Sequence, residues 1–145
     1  MKISTRGRYG TRLMLELARH FGEGPIFLKE IAGSLGISEK YLGQLVIPMK
    51  NAGLISSVRG AHGGYSIARP PSNITLREIV EVAEGPLSLV ECVSNPGVCP
   101  KSQDCVHRSV WKKVAQCMEG TLASITLQDM LEMKKESPEA LFYYI

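Results

Sequence analysis

The sequence predicts a mostly α-helical chain with one small β-hairpin, on three observations. Apolar residues recur at helical spacing through most of the 145 residues. Two short runs, 54–59 and 65–68, are rich in β-branched or aromatic residues and flank a glycine-rich turn. Two short helical segments upstream of that turn meet at a sharp break, Leu35-Gly36-Ile37. Two angled helices followed directly by a hairpin form the pattern of a winged helix-turn-helix, here with a long amphipathic helix behind it. An ordinary small helical hairpin is the plainer alternative, and it leaves the adjoining glycine-rich ribbon unexplained.

The first helix is expected from about Arg6 to Phe21. Leu13, Leu15, Leu17, Ala18 and Phe21 supply its apolar mass, and Gly22-Glu23-Gly24-Pro25 ends it. The second runs from Leu28 to Leu35 and stops at Gly36. Ser38 is placed to cap a third helix reaching Asn51, with Gly53 beyond it. Ala32 is the small residue needed where two such helices touch, and Gly36 tolerates the turn. Ile31, Leu35, Ile37, Leu42 and Leu45 would fasten the pair to the first helix. Pro48 lacks one helical N–H and should bend or loosen the third helix a turn earlier.

The hairpin comes next, tipped by Gly60-Ala61-His62-Gly63-Gly64, and Pro70-Pro71-Ser72-Asn73 closes a first module, residues 1–70. Residues 71–145 form a second module. Thr75 caps a helix from Leu76 to about Ala83, with Leu76, Ile79, Val80 and Ala83 on one face and Gly85-Pro86 at its end. Residues 91–104 read as a loop. A long helix is expected from about Asp104 to Ile125, with Val106, Val110, Val114, Cys117, Thr121 and Ile125 in one stripe. A short helix from Leu127 to about Lys134 follows, and Phe142, Tyr143 and Tyr144 point to a docked tail.

The formal net charge of +3 is unevenly divided. Residues 1–69 carry ten Lys/Arg against four Asp/Glu, and residues 70–145 carry seven against ten. A basic N-terminal half suits a polyanion, with a solvated basic face as the simpler reading. No apolar run approaches the roughly 18 residues of a membrane span. The basic start, Met1 to Arg8, has neither the apolar stretch nor the cleavage site of a secretory signal, so the cytoplasm is the expected compartment.

In a helix-turn-helix the N-terminal half of the second helix of the pair enters the major groove of duplex DNA. That exposes Ser38, Glu39, Lys40, Tyr41, Gly43 and Gln44. Gln44 can bond an adenine edge through both amide groups, and Glu39 can accept from a cytosine amino group. Ser38, Lys40 and Tyr41 suit phosphates, which position without specifying. The wing, with Ser57, Arg59, Gly60 and His62, places a guanidinium and an imidazole on a thin ribbon able to enter an A/T-rich minor groove. A nucleotide-binding loop is discounted, because no strand–GxxxxGK–helix order is present. No nucleophile–base pair or paired carboxylates stand at catalytic spacing, so an enzyme is not expected.

These residues carry a resemblance over nearly the whole chain. Ser4-Thr5-Arg6-Gly7-Arg8-Tyr9, Tyr41-Leu42-Gly43-Gln44-Leu45 and Asn51-Ala52-Gly53-Leu54-Ile55-Ser56-Ser57-Val58-Arg59-Gly60 are three of its motifs. Gly63-Gly64-Tyr65 and the spaced cysteines before the long helix complete it. They resemble the winged-helix repressor family that includes IscR, NsrR and CymR, and most of all its IscR-like members. The resemblance implies a homodimer on a palindromic double-stranded operator, with the long helix crossing its partner. It also implies a cofactor loop that tunes DNA binding, as in an iron–sulfur-sensing repressor of iron–sulfur biogenesis genes. A nitric-oxide or redox-sensing repressor of the same family is the alternative.

Cys92, Cys99 and Cys105 form C-x6-C-x5-C, followed by His107. In a cytosolic protein such a trio reads as ligands rather than disulfide partners. Thiolates with one imidazole suit an iron–sulfur cluster or zinc, and plain reactive thiols or an empty site stay open. The resemblance favours a cluster, [2Fe-2S] first and [4Fe-4S] second. IscR-like members carry a histidine three residues after the third cysteine, where this chain has Arg108. NsrR-like members use a carboxylate near the start of the first helix, where it has Arg8. His107 is taken as the fourth ligand, with Glu91, Asp104 or an unligated edge as substitutes. Cys117, on the apolar stripe, reads as a buried structural cysteine, so the long helix can be tested on that point.

Overall fold

The structure, a computed structural model, describes residues 2–136. The aromatic tail expected to dock lies outside the described residues. Helix α1 (Thr5–Arg19) is capped by Ser4, whose hydroxyl accepts the Gly7 N–H at 3.1 Å. It ends earlier than expected. The Phe21 N–H bonds the Ala18 carbonyl in a tightened last turn, which turns Phe21 off the apolar face into an exposed position.

Helix α2 (Leu28–Leu35) ends at Gly36, which adopts the left-handed conformation that terminates it and aims the chain into α3 (Glu39–Asn51). Ser38 caps α3 by accepting the Tyr41 N–H at 3.2 Å. Pro48 does not interrupt α3. The helix runs on, and the Ala52 N–H bonds the Pro48 carbonyl at 3.0 Å. Strands β1 (Ile55–Val58) and β2 (Gly64–Ile67) pair antiparallel with Ile55 opposite Ile67 and Val58 opposite Gly64. Backbone bonds of 2.9 and 2.8 Å between Ile26 and Tyr65 tie this hairpin to the segment entering α2.

Helix α4 (Leu76–Glu84) and helix α7 (Leu127–Glu136) begin side by side. The Leu76 N–H bonds the Ile125 carbonyl at 2.8 Å, and the Leu127 N–H bonds the Ile74 carbonyl at 2.9 Å. Each start is locked by a threonine–carboxylate pair, Thr75 with Glu78 and Thr126 with Asp129. Leu13, Met14 and Leu17 of α1, Ile31 of α2, Leu42, Leu45 and Met49 of α3, Leu54, Ile74, Ile79 of α4 and Leu127 of α7 are fully buried in one core. The core therefore crosses residue 70, and each such side chain contributes about 1.5–3 kcal/mol.

Residues 91–104 are more ordered than a plain loop, with a helical turn α5 (Glu91–Ser94) and a 3-10 turn at Pro96–Val98. Helix α6 (Val106–Ser124) stands away from the core, and only Ala115 on it is buried. Cys105 is its N-cap, so Asp104 lies outside it. Cys117 is exposed rather than buried. The stripe that carries it faces out of the single chain, and Val106, Val110, Trp111 and Val114 are exposed beside it.

Candidate functional site

The expected DNA-reading residues divide by environment. Ser38, Glu39, Lys40 and Gln44 are exposed on α3, opposite the buried Leu42, Leu45, Val46 and Met49. The helical period explains this: Leu42, Leu45 and Met49 follow one stripe into the core, and Lys40 and Gln44 lie on the far side. Lys40 and Arg59 have no carboxylate partner among the described residues.

Two residues of α3 make contacts within the chain that their spacing did not predict. The Tyr41 ring is half-buried and packs edge-on against Tyr9, 5.9 Å between centroids at 88°, with the Arg12 guanidinium 5.1 Å from the Tyr9 ring. Tyr41 thus joins α3 to α1 through its ring. Gly43 is turned toward Leu28 of α2 rather than outward: a methyl there would lie 3.9 Å from the Leu28 side chain. One outward residue was missed. Ile47 is 60% exposed, three residues after Gln44. Counting the polar stripe at helical period from Lys40 through Gln44 would have found it.

On the hairpin, Arg59, Gly60, Ala61 and His62 are exposed at the tip, and Ser57 is half-buried on β1 opposite Tyr65. The Gly63 N–H bonds the Gly60 carbonyl at 3.0 Å and closes the tip into a narrow turn. The wing is therefore thin, held to the body through Ile26, and cationic at its end.

The cysteine loop is arranged differently from the expected ligand set. Cys92, Cys99 and Cys105 are half-buried, yet among the described residues no three Cys, His, Asp or Glu side chains converge to hold a metal ion. The donor chemistry suits a cluster or zinc, and in this arrangement the donors stand apart. His107 is exposed and lines an open groove of about 560 Å³ with Pro100, Lys101, Gln103, Asp104 and Cys105. Arg108, about 100° further round the helix, is the residue that faces the loop. Its Nε–H donates to the Cys92 carbonyl at 2.7 Å, and its backbone N–H donates to Cys105 Sγ at 3.5 Å. A charge-assisted bond thus joins the two ends of the loop. Glu91 is exposed at the start of α5, and Asp104 is exposed before α6. Arg8, exposed on α1, has its Nη2 3.4 Å from Thr5 Oγ1.

No described helix is long and apolar enough to cross a membrane. The chain is 43% identical over 145 residues to the HTH-type transcriptional regulator CymR of Bacillus subtilis, covering 100% of both chains. The solved structure of CymR, described as the global cysteine regulator of B. subtilis, matches with a TM-score of 0.76 over 92% of this chain and 98% of that one. T. potens IscR matches with a TM-score of 0.74 at 44% identity, over 100% of this chain and 94% of that one. Residues 3–133 match the family model Rrf2, described as an iron-dependent transcriptional regulator. The chain belongs to the Rrf2 family of winged-helix transcriptional regulators, a family of DNA-binding proteins rather than enzymes.

Proposed function

We propose that this regulator binds a palindromic double-stranded operator as a homodimer in the cytoplasm, with α3 in the major groove and the hairpin in the adjacent minor groove. One observation carries the reading: the polar and cationic side chains of α3 and the wing tip are exposed on elements whose opposite faces are buried in one core. Rigid elements presenting such side chains are what base and phosphate contacts require. The apolar outer face of α6 supports pairing with a second copy. Titration of the full-length protein against duplex DNA over a salt series tests this. Affinity should fall steeply as salt rises, because phosphate contacts release counterions. A flat salt response would remove the operator role.

A second reading concerns the signal. Three half-buried thiols between residues 92 and 105 favour iron–sulfur sensing of the IscR type, with a [2Fe-2S] or [4Fe-4S] cluster and control of iron–sulfur biogenesis genes. A nitric-oxide or redox signal, or zinc, would use the same donors. Each of these requires the loop to close further than it does here, with Cys92, Cys99, Cys105 and either His107 or a substitute as ligands. A cofactor-free regulator is the remaining alternative. Anaerobic reconstitution followed by visible absorption, paramagnetic resonance and metal analysis separates them: a cluster is coloured, zinc is colourless, and a cofactor-free regulator retains neither.

A further inference from the structure

We infer that Ile47 reads a thymine methyl group in the operator, one base step beyond the contact of Gln44; this rests on the operator reading above. Helix α3 has a continuous apolar face of Leu42, Leu45, Val46 and Met49 buried in the core. At 100° per residue the opposite face carries Lys40, Gln44, Ile47 and Asn51 in one stripe. All four are exposed, and three are polar. Ile47 is 60% exposed and belongs to no apolar cluster of the chain. A β-branched apolar side chain here gains little from the fold, because it lies opposite the packed face, and a β-branched residue is a weaker helix former than alanine.

What the site lacks in packing it supplies in recognition. The major groove presents hydrogen-bonding edges and one apolar group, the C5 methyl of thymine. Polar neighbours cannot read that methyl, whereas an isoleucine can cover it. The spacing also matches. Gln44 and Ile47 are three residues apart, about 4.5 Å along the helix axis, a step of the same order as the roughly 3.4 Å between successive base pairs. If Gln44 bonds an adenine edge, Ile47 stands above the neighbouring pair. The side chain is also stiff at its first torsion, so little freedom is lost when it makes the contact.

The test uses the full-length protein and a duplex selected from a random library. Each thymidine of the selected site is replaced in turn by deoxyuridine, which removes the methyl and leaves every hydrogen-bonding group. One thymidine per half-site should show roughly a fourfold loss of affinity for the unsubstituted protein, the scale of one apolar carbon withdrawn from contact. Ile47→Ala should bind the thymidine and deoxyuridine forms of that site equally. Ile47→Ala should fold normally, since the side chain it shortens is exposed; circular dichroism checks this. If binding to the selected site is insensitive to every replacement, or if Ile47→Ala keeps the same sensitivity, the role of Ile47 is overturned while the operator reading stands. If no duplex is enriched at all, the operator reading falls and this inference falls with it.

Discussion

Ser4 and Glu84 are eighty residues apart, yet the Ser4 backbone N–H at 2.9 Å and its hydroxyl at 2.6 Å both donate to Oε1 of Glu84. Ser4 caps α1, the helix at the centre of the core, and Glu84 ends α4, just before the segment leading to the cysteine loop. Gly7 leaves room for this pair, because a side chain there would run into the Glu84 carboxylate and into Ile3.

Gly7→Ala should therefore force the Glu84 side chain away and lose both bonds to Ser4, lowering stability by about 1–2 kcal/mol in thermal unfolding. In a Glu84→Ala background the penalty should shrink, since only the contact with Ile3 remains and alanine is the better helix former. An equal penalty in both backgrounds would mean that the clearance of Gly7 serves something other than Glu84.

Acid should weaken the junction of α4 with the wing. Burial raises the Glu78 carboxyl, but the Thr75 N–H, the Arg69 guanidinium at 2.7 Å and the Thr75 hydroxyl together hold it below the ordinary carboxylate range. Hydrogen bonds from the hydroxyl and then the backbone of Thr126 lower Asp129 in the same direction. A depressed folded value gives stability that is present above the unfolded value of about 4.3 for Glu or about 3.9 for Asp and is lost as pH falls through the folded value. The unfolding midpoint should thus drop as pH is taken from about 5 to below 4, and Glu78→Gln should flatten part of that slope. An unchanged slope in Glu78→Gln would refute the assignment.

Arg108 should keep the cysteine loop closed in metal-free protein. In chelator-treated, reduced full-length protein, Arg108→Ala should speed amide exchange at Asn95, Cys99 and Ser102, whose N–H groups are bonded within the loop, by roughly tenfold. His107→Ala should leave those amides unchanged. Fast exchange in the unsubstituted protein that slows only on adding metal would show instead that a metal holds the loop.

The outer face of α6 should be a subunit interface. Trp111→Glu or Val110→Asp should shift the protein toward monomer in sedimentation equilibrium while far-ultraviolet circular dichroism stays unchanged, because both side chains are exposed in the single chain. A monomeric unsubstituted protein would remove the interface, and variants that associate as before would place it elsewhere.

What could be read from the sequence was what is local. Ser38 before a helical run, Gly36 between two helices and the glycine-rich tip of the hairpin are signals contained within a few residues, and all three stand where expected. The bond from Ser4 to Glu84 had no such signal, because the partner is distant in the chain. Cys117 and Val110 follow the period of a buried face, but that period reports an apolar face without saying whether the same chain covers it. At the cysteine loop, residue type and spacing named plausible ligands, whereas the rotation of α6 decides that Arg108 rather than His107 faces Cys92. Tyr41 was legible as a side chain near the turn but not as the partner of Tyr9.

The affinity of Gln44→Ala and Arg59→Ala for a selected duplex, measured base by base, tests the reading of DNA by α3 and the wing most directly. Arg59→Ala should weaken binding, most of all at A/T-flanked sites, where the narrow minor groove attracts a guanidinium. Gln44→Ala should relax preference at one base position by about 1–3 kcal/mol. Undiminished affinity in the first variant together with unaltered preference in the second would contradict the account.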